Sequence, residues 1–156
     1  GLPRAVNLAS SSLGDGGFAT HVLHMLQESP HLAQKLWVEF DEAAAVSQFD
    51  TLQEFGRLVR PMGVRFGLEH AGQRLHAIDR LFELGLDYVK LEASMCRGVA
   101  GNEAAQEFVR RSVALLHALS MLVIAQGVLD PADVEVLWSC GVDGATGPWA
   151  NQKAPA

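Results

Sequence analysis

The chain has 156 residues, a length that suits one ordinary domain with a single core. Hydrophobic residues make up 49% and charged residues 19%, a balance that excludes intrinsic disorder. No apolar run approaches the ~18 residues of a membrane-spanning helix. The net charge of −6, without a basic stripe, argues against binding a nucleic-acid polymer. Cys96 and Cys140 lie far apart, which favours reduced thiols in a cytosolic setting.

Strands and helices are predicted to alternate along the chain. Short apolar strands are predicted at 4–9, 35–40, 64–69, 87–92 and 121–126, with a sixth at 142–147. Helices are predicted at 18–29, 51–62, 74–85, 102–120 and 131–141. A loop rich in Ser and Gly is expected between the first strand and the first helix. This alternation predicts an α/β fold with parallel strands and right-handed crossovers.

Two α/β architectures fit this order of elements. The stretch GDGGFA, residues 14–19, matches the G-x-G-x-x-A pattern of doubly wound dinucleotide-binding sheets, and Glu39 follows about 20 residues later. In that pattern the glycines come directly after the strand, whereas ASSSL intervenes here, which favours a loop of small residues. The alternative is a (β/α)8 barrel, of which about six βα units would be present and about two missing upstream.

Polar residues at the ends of the predicted strands favour the barrel. They are Asn7, Glu39, Glu69, Lys90, Gln126 and Thr146. The carboxyl ends of barrel strands converge on one face, where ligands bind. Exposure of a strand end to solvent could explain one polar residue, but it explains poorly why six residues at equivalent positions are all polar. We therefore predict an incomplete (β/α)8 barrel with a site at one mouth.

Six stretches of the sequence resemble successive motifs of the EAL domain, the bacterial cyclic di-GMP phosphodiesterase family. They are VNLASSSL, LWVEFDE, GVRFGLEHAG, LDYVKLEASM, VIAQGV and GVDGATG. The resemblance implies that residues 1–156 are a single EAL-like domain, the C-terminal portion of a TIM-type barrel. The strand that carries the Glu-Ala-Leu signature is not in this sequence. In active relatives, two divalent cations activate a water against a phosphodiester.

Four family positions are retained. The resemblance implies that Asn7 and Glu39 correspond to metal ligands, that Glu42 is the second glutamate of the ExTE motif, and that Lys90 stands beside the attacking water. A strand-end cap for Asn7 and solvated charges for the other three are the ordinary alternatives.

Other family positions depart from the pattern. Glu69 and His70 stand where the family has paired aspartates, and Gln126 stands where it has the glutamate that serves as general base or holds the water beside the metals. Further departures are Glu92 for an aspartate, Leu129 for a glutamate and Thr146 for a glutamine. Hard cations prefer charged oxygen ligands, and an amide cannot collect a proton from water. An amide can still accept and donate hydrogen bonds.

The resemblance therefore implies a catalytically inactive EAL-like domain that acts as a cyclic di-GMP receptor, similar to the membrane-linked GGDEF–EAL receptors of the LapD type. The expected ligand-binding residues are Asn7, Glu39, Glu42, Lys90, Gln126 and Thr146. The vestigial catalytic positions are Glu69, His70, Lys90 and Gln126, and the vestigial metal candidates are Asn7, Glu39 and Glu69. Two alternatives stay open: a dimerisation or docking module that binds no ligand, and a weak phosphodiesterase that releases pGpG.

The same resemblance implies the surroundings of the domain. No tightly bound cofactor is expected, and Mg²⁺ or Mn²⁺ is expected to bind only weakly. GGDEF and membrane or sensor domains are expected upstream, which makes this a cytoplasmic domain of a membrane-anchored bacterial signalling protein. A homodimer contact is expected at the segment between the third and fourth strands.

Overall fold

The computed structural model describes residues 3–8, 10–13, 15–72, 74–78 and 80–151. The strands are β1 (Arg4–Asn7), β2 (Leu36–Asp41), β3 (Arg65–Ala71), β4 (Tyr88–Leu91), β5 (Leu122–Ala125) and β6 (Gly144–Ala145). They form one six-stranded sheet in chain order. The pairs β1–β2, β4–β5 and β5–β6 are parallel. The predicted α/β class with a parallel sheet is confirmed.

Helices lie between successive strands, several of them begun by a side-chain cap. They are α1 (Ser10–Leu13), α2 (Gly16–Glu28), α3 (Pro30–Ala33), α4 (Glu42–Ser47), α5 (Phe49–Val59), α6 (Ala93–Cys96), α7 (Glu103–Ala118) and α8 (Pro131–Ser139). Asn102 accepts the Ala105 N–H at 3.0 Å, and Asp130 accepts the Ala132 N–H at 2.9 Å. These caps start α7 and α8 where the sequence predicts them. Among the described helices, none is both long and apolar enough to cross a membrane.

The helix predicted at 74–85 is wrong. Two short 3₁₀-helices, Leu75–Ala77 and Leu81–Leu84, occupy this segment. The apolar residues Leu75, Ile78, Leu81 and Leu84 recur every three positions, which is the period of a 3₁₀-helix and not the 3.6 of an α-helix. All of them except Ile78 are buried. The spacing that suggested one helix instead suits two tighter turns.

The loop predicted after β1 is also partly wrong, because residues 10–13 form α1 and bury Leu13. Gly14 of the GDGGFA stretch lies outside the described residues. Asp15 in that stretch is the N-cap of α2, and its carboxylate accepts the Gly17 N–H at 3.0 Å. The helix start is thus satisfied by the chain's own carboxylate, as expected of an ordinary cap.

The chain divides into two compact units, and the division runs through β3. The first comprises Gly1–Leu68 and Ala77–Asp87, and the second comprises Glu69–His76 and Tyr88–Ala156. In the first unit, the Phe66 ring stacks on Phe55 at 5.7 Å and meets Phe40 edge-on at 5.9 Å. The core of the second unit is aliphatic and includes the fully buried Leu91, Leu116, Val123 and Leu137.

Candidate functional site

Polar residues lie at or next to the carboxyl end of every strand, as predicted. Asn7 is the last residue of β1, Gln126 directly follows β5, and Thr146 directly follows β6. Glu39, Glu69 and Lys90 lie within the last three residues of β2, β3 and β4. Each strand therefore delivers a hydrogen-bonding or charged side chain to the end at which α/β proteins bind ligands.

The first unit contains three of the predicted site residues, Asn7, Glu39 and Glu42. Asn7 pairs directly with Glu39 across the two parallel strands. Asp41 ends β2 and caps α4 by accepting the Ala44 N–H at 2.8 Å, which places Glu42 in the first turn of that helix. Glu39 is only 3% exposed and Glu42 only 8% exposed. Two carboxylates buried this deeply are costly unless they interact with other groups, and both Glu39 and Glu42 do so within the structure.

In the second unit, the ladder between strands continues past the strand ends. The Gln126 N–H donates to the Leu91 carbonyl at 3.0 Å, and the Thr146 N–H donates to the Ala125 carbonyl at 2.8 Å. Because Lys90 pairs with Ile124 and side chains alternate along a strand, Lys90, Gln126 and Thr146 face the same side of the sheet. The Lys90 ammonium lies 5.8 Å from the centroid of the Tyr88 ring, within reach of a cation–π contact.

The side chain of Gln126 is tied to the end of β3. Its Oε1 accepts the main-chain N–H of His70 at 3.1 Å. His70 has a left-handed backbone with φ of 51°, a conformation that His, Asn and Asp adopt more readily than most residues. Because the Oε1 of Gln126 accepts the His70 N–H, the remaining group of the Gln126 amide is its NH₂, which can only donate hydrogen bonds. A carboxylate in this place would present a second acceptor oxygen.

Sequence reasoning missed a basic residue beside Gln126. The Nε of Arg97 donates to the Gly127 carbonyl at 2.8 Å, across 30 residues of sequence. Gly127 has φ of +64°, and a Cβ there would lie 2.8 Å from the Cβ of Ala93 and 3.2 Å from Nη2 of Arg97. A glycine directly after a polar strand end was the one signal of this contact in the sequence.

The donor chemistry of the second unit does not fit a pair of hard cations. Glu69 is the one carboxylate among its predicted catalytic positions, and Gln126 already gives its oxygen to the His70 N–H. Mg²⁺ and Mn²⁺ prefer several charged oxygen ligands. Over the described residues, no group of three His, Cys, Asp or Glu side chains is arranged to hold a metal ion.

The comparisons with known proteins agree with the motifs. The family model of the EAL domain matches residues 1–152. The chain belongs to the EAL domain family. Among curated relatives, this EAL domain is 26% identical over 133 residues to the cyclic di-GMP phosphodiesterase NbdA of Pseudomonas aeruginosa, covering 85% of this chain and 17% of NbdA. It is also 26% identical over 160 residues to the cyclic di-GMP phosphodiesterase PdeR of Escherichia coli, covering 97% of this chain and 23% of PdeR.

Solved structures share the fold of this EAL domain. The S helix-GGDEF-EAL part of Vibrio cholerae LapD, bound to c-di-GMP, matches with a TM-score of 0.87 and 22% identity, over 96% of this chain and 36% of that chain. The Xanthomonas citri FimX EAL domain in complex with c-di-GMP matches with a TM-score of 0.84 and 21% identity, over 99% of this chain and 61% of that one. The predicted TIM-type barrel, partial in this chain, is confirmed. The chain spans less than two thirds of all four of these proteins.

Proposed function

We propose that this EAL domain is a receptor that binds cyclic di-GMP without hydrolysing it. The proposal rests on the identity and the hydrogen bond of Gln126. This residue stands at the strand end where the family has its general base, and its oxygen is engaged by the His70 N–H. The group left for a ligand is an NH₂, which can donate to a phosphate or to a guanine but cannot remove a proton from water.

The loss of negative charge supports binding over catalysis. His70 and Leu129 also replace acidic residues of the family pattern, so the second unit lacks several of the charges that hold two cations. Hydrolysis needs the metal ligands and the base together, because the loss of one member of such a catalytic set removes most of the activity of the whole set. Recognition of a dinucleotide is spread over many contacts and tolerates the loss of a few.

The relatives indicate which ligand to test. LapD and FimX, whose folds match, are described in complex with c-di-GMP, and the curated relatives NbdA and PdeR are named as cyclic di-GMP phosphodiesterases. In our proposal the ligand contacts come from Asn7, Glu39, Glu42, Lys90, Gln126 and Thr146. Glu69, together with Asn7 and Glu39, keeps only a vestige of the metal site.

We further propose that the domain works within a longer signalling protein. The matching LapD chain combines an S helix and a GGDEF domain with its EAL domain. By analogy, a GGDEF domain and a membrane or sensor segment would precede this chain, and ligand binding in the cytoplasm would be passed on to them. The segment between β3 and β4 would supply a homodimer contact.

Two other functions have specific support. The names of NbdA and PdeR favour a weak phosphodiesterase that releases pGpG. A docking module without ligand is favoured by another relative, the RNase E specificity factor CsrD of Escherichia coli, which is 27% identical over 122 residues and is named for a different role. That alignment covers 78% of this chain and 19% of CsrD.

Calorimetry of the intact protein with cyclic di-GMP, with and without Mg²⁺, separates the three functions. We expect saturable binding in both conditions and no pGpG in the same samples after hours of incubation. Cyclic di-AMP serves as the control ligand, since it keeps the two phosphates and changes the bases. Turnover to pGpG would refute the receptor and favour the phosphodiesterase. Absence of both heat and product would favour the docking module.

A further inference from the structure

Arg97 is held beside the candidate site by the main chain that follows Gln126. Its Nε donates to the Gly127 carbonyl at 2.8 Å, and its own N–H donates to the Ala93 carbonyl at 2.9 Å. The bond through Nε leaves both terminal NH₂ groups of the guanidinium available. A guanidinium fixed at Nε presents those two groups as a planar fork, which matches two oxygens of a phosphate.

Gly127 provides the space in which the Arg97 side chain lies. Any Cβ at position 127 would fall 3.2 Å from Nη2 of Arg97 and 2.8 Å from the Cβ of Ala93. The left-handed φ of +64° also turns the Gly127 carbonyl so that it meets the Nε of Arg97. Both the conformation and the missing side chain are therefore needed for this placement of Arg97.

The main chain directly after Arg97 is fixed by a buried carboxylate. Asp133, only 5% exposed, accepts the Gly98 N–H through Oδ2 and the Ala100 N–H through Oδ1, each at 2.9 Å. A carboxylate that accepts two N–H groups of one short segment holds the backbone of that segment in one conformation. Arg97 is thus anchored at its backbone and at its Nε, which reduces the conformational entropy it would lose on binding a ligand.

The charge of Arg97 is not neutralised within the described part of the chain. Arg110 and Arg111, on α7 of the same unit, both pair with Glu107. Arg97 makes no ion pair with any described residue, although it lies beside the polar end of β5 in a chain of net charge −6. A cation held in this way at a ligand-binding end of a sheet suits an anionic ligand.

We propose that Arg97 binds a phosphate of the dinucleotide ligand, with its terminal NH₂ groups donating to the non-bridging oxygens of one phosphodiester. The inference rests on the proposed receptor function and deepens it. In a site without two tightly bound cations, Arg97 and Lys90 supply the positive charge that offsets the phosphates. Gly127 then affects affinity although it has no side chain to contact the ligand.

The test compares Arg97→Gln, Arg97→Lys and the wild-type protein by calorimetry with cyclic di-GMP. Arg97→Gln is expected to weaken binding by about tenfold to a hundredfold, the range for a lost charge-assisted hydrogen bond. Arg97→Lys keeps the charge but not the fork, and we expect an intermediate affinity. The control is Arg111→Gln, which removes the same charge from an exposed ion pair and should leave affinity within about twofold.

The ³¹P resonances of saturating ligand give a second readout that a purely structural role would not move. Arg97→Gln should shift one of the two phosphorus signals, while the melting temperature of the ligand-free variant stays close to that of the wild type. Wild-type affinity in Arg97→Gln, with unshifted phosphorus signals, would overturn the role of Arg97 and leave the receptor standing. Equal weakening by Arg111→Gln would also overturn it. If the wild-type protein binds no cyclic di-GMP, the receptor function falls and this inference with it.

Discussion

The carboxylate of Asp143 accepts the main-chain N–H of Val123 at 2.8 Å, so the residue before β6 caps the second residue of β5. The N–H of Asp143 donates back to the Val123 carbonyl, also at 2.8 Å. Asp87, before β4, makes the same pair of bonds with Phe66, the second residue of β3. Each aspartate follows a left-handed glycine and a buried apolar residue: Gly141–Val142 and Gly85–Leu86. In both places this Gly-apolar-Asp turn is hydrogen-bonded to the second residue of a strand, at the amino end of that strand.

Removing either aspartate should therefore reduce stability and leave ligand binding in place. Asp143→Ala and Asp87→Ala each leave a strand N–H without its acceptor, and we expect a loss of about 1–2 kcal/mol in the free energy of unfolding. Glu107→Ala, which breaks only exposed ion pairs, should change it by less than about 0.5 kcal/mol. Urea denaturation of the three variants provides the measurement. A loss as large in Glu107→Ala as in the aspartate variants would contradict this role.

The contribution of Asp143 should depend on pH. Burial raises its pKa, but hydrogen bonds from His117, 2.7 Å away, and from the Val123 N–H outweigh burial, so the pKa lies below its ordinary value. A lowered pKa means that the stabilisation is complete above the unfolded pKa of about 3.9 and is lost as pH falls through the folded pKa. The stability difference between the wild type and Asp143→Asn should shrink as pH falls from about 5 to about 3. A constant difference over that range would exclude this charge effect.

Three glycines of the second unit allow backbone strain and steric overlap to be measured separately. Gly101 is not left-handed and has open space at its Cβ position; Gly98 has open space but φ of +75°. Gly127 has φ of +64° and a close contact with Ala93. We expect Gly101→Ala to be nearly neutral, Gly98→Ala to cost about 1 kcal/mol, and Gly127→Ala to cost about 2–3 kcal/mol. Thermal unfolding of the three variants gives the order, and a Gly127→Ala variant as stable as Gly98→Ala would contradict the overlap.

The thiol of Cys96 should be unreactive in the native protein. Burial raises its pKa to about 11, and its sulfur lies 3.9 Å from the Leu91 carbonyl. At pH 8 a thiol with that pKa is roughly one part in a thousand thiolate, the form that reacts with alkylating reagents. Iodoacetamide labelling followed by mass spectrometry should modify Cys96 only after unfolding in guanidinium. Rapid labelling of Cys96 in the native protein would show that the residue is accessible and its pKa ordinary.

The sequence predicted those features that depend on local periodicity. Short apolar runs that end in polar residues located all six strands, and the predicted starts of α7 and α8 agree with the structure to within one residue. The segment 74–85 was mistaken for one helix because Leu75, Ile78 and Phe82 also fit the i, i+3, i+7 spacing of an α-helix, although Phe82 is exposed in the structure.

The contacts of Gln126 with His70 and of Arg97 with Gly127 were not predictable in this way. They join residues 56 and 30 positions apart. They also depend on two left-handed residues, His70 and Gly127, whose conformation is set by the surrounding strands. Local patterns carry no record of such long-range geometry, so the sequence identified the residues at the strand ends but not the bonds between them.

Single and combined replacements at the strand ends test why catalysis should be absent. Gln126→Glu preserves the contact with His70, because a carboxylate accepts the same N–H, so we expect nearly unchanged stability and little pGpG release. His70→Asp suits the left-handed backbone at φ of 51°, since Asp tolerates that region. Combined with Glu69→Asp and Gln126→Glu it restores the charge that two cations need, and this triple variant is the smallest set expected to gain turnover. Titration with Mn²⁺ should show no tight two-site binding in the wild type and stronger binding in the triple variant. A wild-type protein with a micromolar two-site Mn²⁺ isotherm, or a Gln126→Glu variant with full turnover, would show that the other strand-end residues had kept a working metal site.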